Sequence, residues 1–200
     1  RITLEYCDNP LWYCATALPT IFNKDARTST SLAHSLYALA IAEGMAKRTP
    51  KLADAIAYWK AQPKQQSALT SMLEKNADLK IGTLLASPWI NEAERETLRM
   101  NSLDRLFDKD ENAKAKENII KRLADLQMSD GGFAWIKYNQ CKSSLYCTGT
   151  VLELIGEIQQ LGFLTDDSRV DAMVNKAIKY YDHEYLKFFS KLKLGKKASF

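Results

Sequence analysis

Residues 127–135, Gln-Met-Ser-Asp-Gly-Gly-Phe-Ala-Trp, set a Gly-Gly turn with flanking aromatics between two strongly helical segments. The upstream segment carries Ile119, Ile120, Leu123 and Leu126. The downstream one carries Val151, Leu154, Ile155, Ile158 and Leu161. Both sets have the three-to-four spacing of an amphipathic helix. A chain that turns tightly between two such stripes is a helix-pair corner, and such a corner points to a helical array. Asp130 reads as its turn former, with a carboxylate placed to bond nearby backbone N–H groups. Gln127, Gly131, Gly132, Phe133 and Trp135 read as structural corner residues, with Phe133 and Trp135 packed between helix layers.

The rest of the chain fits the same class. Asn9-Pro10 has the form of a helix cap followed by proline at the first helical position, opening a short, largely buried helix that runs to Pro19. Thr28 to Ser31 offer caps to an alanine-rich helix through about Arg48, with Leu32, Leu36, Leu39 and Ala40 on one stripe. Thr49-Pro50 starts a helix through Ile56 and Trp59 that Pro63 stops. A helical pattern over 67–86 is interrupted at Asn76 and Gly82, and Ser87-Pro88 breaks it before an amphipathic stretch over 89–107. A helix from about Glu111 leads to the corner. Beyond the loop at 137–145 come a helix over 148–161, a turn at Gly162 and a long helix from about Asp167, with Val170, Met173, Val174, Ala177, Ile178 and Tyr181 as its stripe. The chain is all-α after residue 9. Residues 1–8 read as an extended strand leading in from a preceding domain of a larger protein.

At 200 residues and 46% apolar content the chain is long enough for one domain with a real core. The formal charge of +4 is small, and Lys187, Lys191, Lys193, Lys196 and Lys197 read as a solvated helix end favoured by the helix dipole. No nucleic-acid motif accompanies them. No apolar run approaches the ~20 residues that span a bilayer, and no membrane contact is expected. Asp108, Asp110 and Glu111 superficially resemble the acidic cluster that protonates substrates in class II terpene cyclases, but acids before a helix start are ordinary dipole complements. His34 has no triad-like partner in sequence and His183 reads as exposed, so neither a metal nor a cofactor is expected. Trp12, Trp59, Trp89 and Trp135 read as core aromatics. The cysteines fall as two close pairs, Cys7 with Cys14 and Cys141 with Cys147. Disulfides closing these short loops are the expectation, firmer for Cys141–Cys147, with buried free thiols as the alternative.

The spacing of Gln127, Gly131 and Phe133 resembles the glutamine-aromatic repeat of α/α toroids, the fold of terpene cyclases and of the thioester domains of complement and alpha-2-macroglobulin proteins. The opening Leu4-Glu5-Tyr6, Asn9-Pro10, Trp12-Tyr13 and Ala17-Leu18-Pro19 looks like the start of the thioester-domain region of bacterial alpha-2-macroglobulin family proteins of the Bacteroidetes type. Ser87-Pro88-Trp89, Leu106-Phe107-Asp108, Gly131-Gly132-Phe133-Ala134-Trp135, Tyr146 with Thr148, and Ala177-Ile178-Lys179-Tyr180-Tyr181-Asp182 follow in the family's order. The resemblance implies a partial toroid within a large multidomain extracytoplasmic protease trap, periplasmic or at the cell surface as part of a lipoprotein. In thioester-bearing members a Cys-x-Glu-Gln segment follows the Ala-Leu-Pro helix. Here Thr28, Ser29, Thr30 and Ser31 stand at that place, with neither the thiol nor the glutamine. The expectation is therefore a non-catalytic module acting on proteases or other proteins, alongside neighbouring domains of the same chain, without covalent chemistry. A toroid enzyme acting on a glycan or isoprenoid in a central cavity is the alternative, and a generic helical-repeat scaffold the second.

Overall fold

The computed structural model describes residues 10–63, 66, 67, 69, 70, 75, 97, 98, 100–138 and 141–197, with side chains as far as Ser190. The expected strand at 1–8, Cys7, Trp89 and most of the stretches at 67–86 and 89–107 lie outside the described residues. Among the described residues there are seven helices: α1 (Pro10–Ile21), α2 (Ser29–Arg48), α3 (Pro50–Ala61), α4 (Leu103–Phe107), α5 (Lys109–Leu126), α6 (Leu145–Gln160) and α7 (Ser168–Lys197). The described residues contain no strand, only an isolated antiparallel bridge between Gln127 and Phe133. The class is all-α, as the periodicity requires.

Helix starts follow from short polar side chains that satisfy the first free backbone N–H groups. Thr28 Oγ1 accepts from Ser31 N at 3.1 Å before α2. Asp108 Oδ1 accepts from Asp110 N at 3.0 Å and Glu111 N at 2.8 Å before α5. Ser144 Oγ accepts from Cys147 N at 3.3 Å before α6, and Asp167 Oδ1 accepts from Arg169 N at 3.0 Å before α7. Pro50 occupies the first turn of α3, where its missing N–H costs nothing. Pro19 does not stop α1. It lies in the last turn, where one lost bond is tolerated, and the helix continues to Ile21 with Phe22 N bonded to Leu18 O at 2.9 Å.

The chain gathers into two compact units, residues 1–22 with 41–114, and residues 23–40 with 115–200. In the first, α4 packs on α1 and α3. Its core is Ala15, Leu18, Leu52, Ile56, Leu103, Leu106 and Phe107. The side chain of buried Asn112 donates to Leu106 O at 2.8 Å and ties α5 to the end of α4. In the second unit α6 packs on α7. There Leu32, Leu36 and Leu39 of α2, Ile119, Ile120 and Leu123 of α5, Val151, Ile155 and Ile158 of α6, and Val170, Met173 and Ala177 of α7 are buried. The expected stripes are thus core-facing, except at their ends. Leu161 and Ile178 are exposed, since Leu161 is already the residue that ends α6 and Ile178 is turned about 100° from buried Ala177. Helix α2 buries Ala33, Ala38, Ala40 and Ala42 besides its leucines.

Arg169 fastens α7 to α5 within the second unit. Its guanidinium donates to both Glu117 oxygens at 2.5 and 2.8 Å and to Asp167 Oδ1 and Oδ2 at 3.1 and 2.8 Å. Hydrogen bonding from Arg169 holds the Glu117 and Asp167 carboxyls below their ordinary values. A depressed carboxylate contributes stability that is complete above its unfolded pKa, about 4, and is lost as pH falls through the folded value. An Arg169→Met variant is therefore expected to show a small, constant loss of denaturation midpoint above about pH 5, with the gap to wild type closing toward about pH 3. A gap independent of pH would refute this account. Leu123→Ala, at a fully buried site, is expected to cost about 2–5 kcal/mol in urea unfolding.

Candidate functional site

The two stretches that stand out in the sequence, the Gly-Gly corner and the hydroxyl segment at 28–31, meet in the second unit. Ser29 N donates to Trp135 O at 3.1 Å. The corner itself is closed by backbone bonds from Gly131 N to Met128 O and from Met128 N to Gly132 O, each 2.9 Å. Asp130 is its turn former: Oδ1 accepts from Gly132 N at 3.0 Å and from Ser143 Oγ at 2.6 Å. The Gln127 amide donates to Gly131 O at 2.9 Å and to Met173 O of α7 at 2.8 Å. Phe133 N donates to Thr148 Oγ1 at 2.9 Å, and that hydroxyl in turn donates a hydrogen bond to Ser144 O at 2.8 Å. These bonds satisfy the backbone N–H groups of Met128, Gly131, Gly132 and the fully buried Phe133.

Both glycines are required by close approach. Gly131 has φ +92°, and a Cβ there would lie 2.5 Å from Lys176 O. A Cβ at Gly132 would lie 2.6–2.7 Å from Ser143 Cβ and the Tyr180 ring. Tyr180 packs under the corner, where burial, then the charges of Asp130 and Glu184, push its phenol above the ordinary range. Tyr37 is raised for a similar reason, by burial and then by Glu157. Both phenols stay protonated at neutral pH.

The hydroxyl segment is spent on its own cap. Thr28 Oγ1 lies 2.6 Å from Ser31 Oγ and 3.3 Å from Thr30 Oγ1, and Ser31 Oγ also bonds Thr28 O at 3.3 Å. Ser29 is fully buried, its Oγ without a hydrogen-bond partner among the described residues. His34 is exposed and its Nδ1 lies 2.8 Å from Thr30 O, a contact that fixes the ring proton on Nδ1. Burial of Ser29 and Thr30, and mutual bonding of the other two hydroxyls, leave no activated nucleophile in this segment.

Two expectations fail here. Trp135 is not packed between layers: it is 51% exposed and stacks on Tyr146 with centroids 6.5 Å apart and planes 21° from parallel. Phe133 and Ala134 already fill the interior, and the Trp135 carbonyl is held by Ser29, which turns the ring outward. Ile136, Tyr138 and Tyr146 are exposed beside it in sequence, at 43%, 70% and 70%. The sequence signal for this surface is the clustering of aromatics around the polar loop at 137–145. The second failure is the Cys141–Cys147 disulfide. Cys147 is a buried free thiol in the first turn of α6, while partly exposed Cys141 directs its thiol to Met128 Sδ at 3.8 Å. The Ser144 cap fixes Cys147 facing inward, and the loop carries Cys141 to the methionine instead. Cys14 is a free thiol exposed on α1, and the expected Cys7–Cys14 pairing lies outside the described residues because of Cys7.

The acidic cluster of Asp108, Asp110 and Glu111 lies in the first unit. An open groove of about 790 Å³ is lined by Ala53, Ile56, Ala57, Asp104, Phe107 and Glu111, among others. Asp104 Oδ2 is paired with Lys60, and Asp108 Oδ1 is occupied by the α5 cap. Asp108, Asp110 and Glu111 are thus helix-start groups. Among the described residues no cluster of three or more His, Cys, Asp or Glu is placed to hold a metal ion. His183 is exposed on α7.

Iodoacetamide without reductant is expected to label Cys14 and Cys141 rapidly and Cys147 only on unfolding; protection of Cys141 that reductant relieves would restore the disulfide. Gly131→Ala is expected to destabilise by at least about 1–3 kcal/mol in thermal or urea unfolding, because the turn conformation and Lys176 O both oppose the methyl group. No protein-family model, curated protein or solved structure matches the chain.

Proposed function

We propose that this chain is a non-catalytic helical module of an alpha-2-macroglobulin-like protein, serving protease capture or protein interaction by non-covalent contact. One observation carries the reading. The segment Thr28–Ser31, aligned with the thioester of that family, is a self-bonded helix cap, and the corner it supports presents the exposed Trp135–Tyr146 pair. Tryptophan and tyrosine are the residue types that most often dominate protein interfaces, because they bury large area at low entropic cost. The covalent step is lost and a contact surface stands beside its place. The resemblance supplies the family and rests on its motifs. It also carries the toroid arrangement, the extracytoplasmic setting and the neighbouring domains of a larger lipoprotein. Proteases and other proteins are the partners in this reading, and nucleic acid is not among them.

The test is enzymological. The chain is incubated with a series of endopeptidases, and cleavage of a protein substrate is compared with cleavage of a short peptide. Inhibition of protein cleavage in excess of peptide cleavage, with no adduct surviving a denaturing gel, is the expected result. Trp135→Ala with Tyr146→Ala should weaken binding by about tenfold or more while leaving the far-UV circular dichroism unchanged. Covalent adducts, or a double variant that binds as well as wild type, would overturn the proposal.

A further inference from the structure

The two halves of α7 have opposite surroundings. Val170, Met173 and Ala177 are buried in the second unit, whereas every residue from Tyr185 to Ser190 is exposed. Over that stretch the helix is open on all its faces. It nevertheless carries Tyr185, Leu186, Phe188 and Phe189 there, 45%, 66%, 54% and 43% exposed. Tyr181, Tyr185 and Phe189 form a ladder at four-residue spacing, with ring centroids 6.1 and 4.7 Å apart. The backbone stays helical to Lys197. The sequence after Glu184 contains no acidic residue, and residues 185–197 include five lysines. Residues 178–197 hold six lysines against Asp182 and Glu184, an excess equal to the +4 of the entire chain.

We propose that the C-terminal half of α7 binds the surface of an anionic lipid bilayer, with its aromatic ridge at the boundary between headgroups and acyl chains. The pairing of an exposed aromatic and leucine surface with a lysine-rich, acid-free run is the chemistry of an interfacial helix. Charge complementarity selects anionic over neutral lipid, each lysine near such a surface raising partition by about fivefold. Leu186, the most exposed of these apolar side chains, lies off the aromatic ladder, so the apolar surface is broader than a single seam. A broad surface suits a fluid hydrocarbon boundary better than the shaped pockets of a protein groove. No helix of the described residues is long and apolar enough to cross a membrane, so the helix lies on the surface. The proposal departs from the expectation of no membrane contact by this segment.

Flotation of the chain with phosphatidylcholine vesicles, with and without about 30 mol% phosphatidylserine, tests the proposal. Partition should be at least about tenfold higher on the anionic vesicles and should fall steeply between about 0.15 M and 1 M salt. Phe188→Ser with Phe189→Ser should lower it about tenfold, and Leu186→Ser about threefold, with circular dichroism unchanged because all three side chains are exposed. Failure to float with anionic vesicles would overturn the proposal, as would equal flotation of wild type and the Phe variant. Binding to soluble polyglutamate as tight as to the anionic vesicles would overturn it in favour of an acidic macromolecule. Concentration-dependent self-association abolished by the Phe variant, without lipid binding, would overturn it in favour of a second copy.

Discussion

The Gln127 side chain is the interaction on which the second unit depends. A primary amide has two N–H donors at a fixed angle, and here one meets the carbonyl of Gly131 in the turn and the other that of Met173 in α7. A single planar group therefore sets both how the chain leaves α5 and where α7 lies against the turn. The glycines matter because of that closeness: Lys176 O and the Tyr180 ring occupy the space where side chains at 131 and 132 would go. Phe133 is then directed inward, Trp135 outward, and Ser29 can reach the Trp135 carbonyl. Take the amide away and the turn loses its anchor to α7 before any apolar contact is touched.

Electrostatics play a local part in this molecule. The ion pairs of Arg169 and Lys60 join elements within a unit, and the carboxylates of Asp108 and Asp167 serve the starts of helices. Acids placed near helix N-termini look like catalytic clusters in a sequence because both uses favour closely spaced carboxylates. Their hydrogen bonds separate the two cases. Asp108 Oδ1 accepts two successive backbone N–H groups at the start of α5, so that oxygen is occupied by the helix cap.

Most of the helical layout was legible because its signals are local. Proline at residue 50, the hydroxyls before α2, Asp130 before two glycines, and the leucine spacings of α2 and α5 each act within one or two turns of chain. What was hidden depends on contacts remote in sequence. Trp135 was read as core because tryptophans usually are, but Phe133 and Ala134 had already filled the interior. Cys141 and Cys147 were close enough in sequence to suggest a bridge, yet the Ser144 cap places Cys147 inside the first turn of α6 and Met128, from the other side of the corner, takes the Cys141 thiol. Pro19 was read as a stop, since the sequence alone does not reveal that it falls in the final turn. Whether the hydroxyls at 28–31 are free or spent is also invisible in one dimension. Ser29 is withdrawn by complete burial and Thr28 by its bond to Ser31.

The alanines of α2 set an asymmetry in how this fold can change. Ala33, Ala38, Ala40 and Ala42 have no accessible surface, so each methyl group sits in a filled space. Elsewhere in the core, mutation mostly removes atoms and leaves a hole, and the surroundings can partly relax into it. At these four positions nearly every substitution adds atoms to a filled space. Sequence drift in this protein is therefore channelled: leucine and isoleucine positions can trade with one another at modest cost, while the buried alanines of α2 tolerate only residues of about their own size.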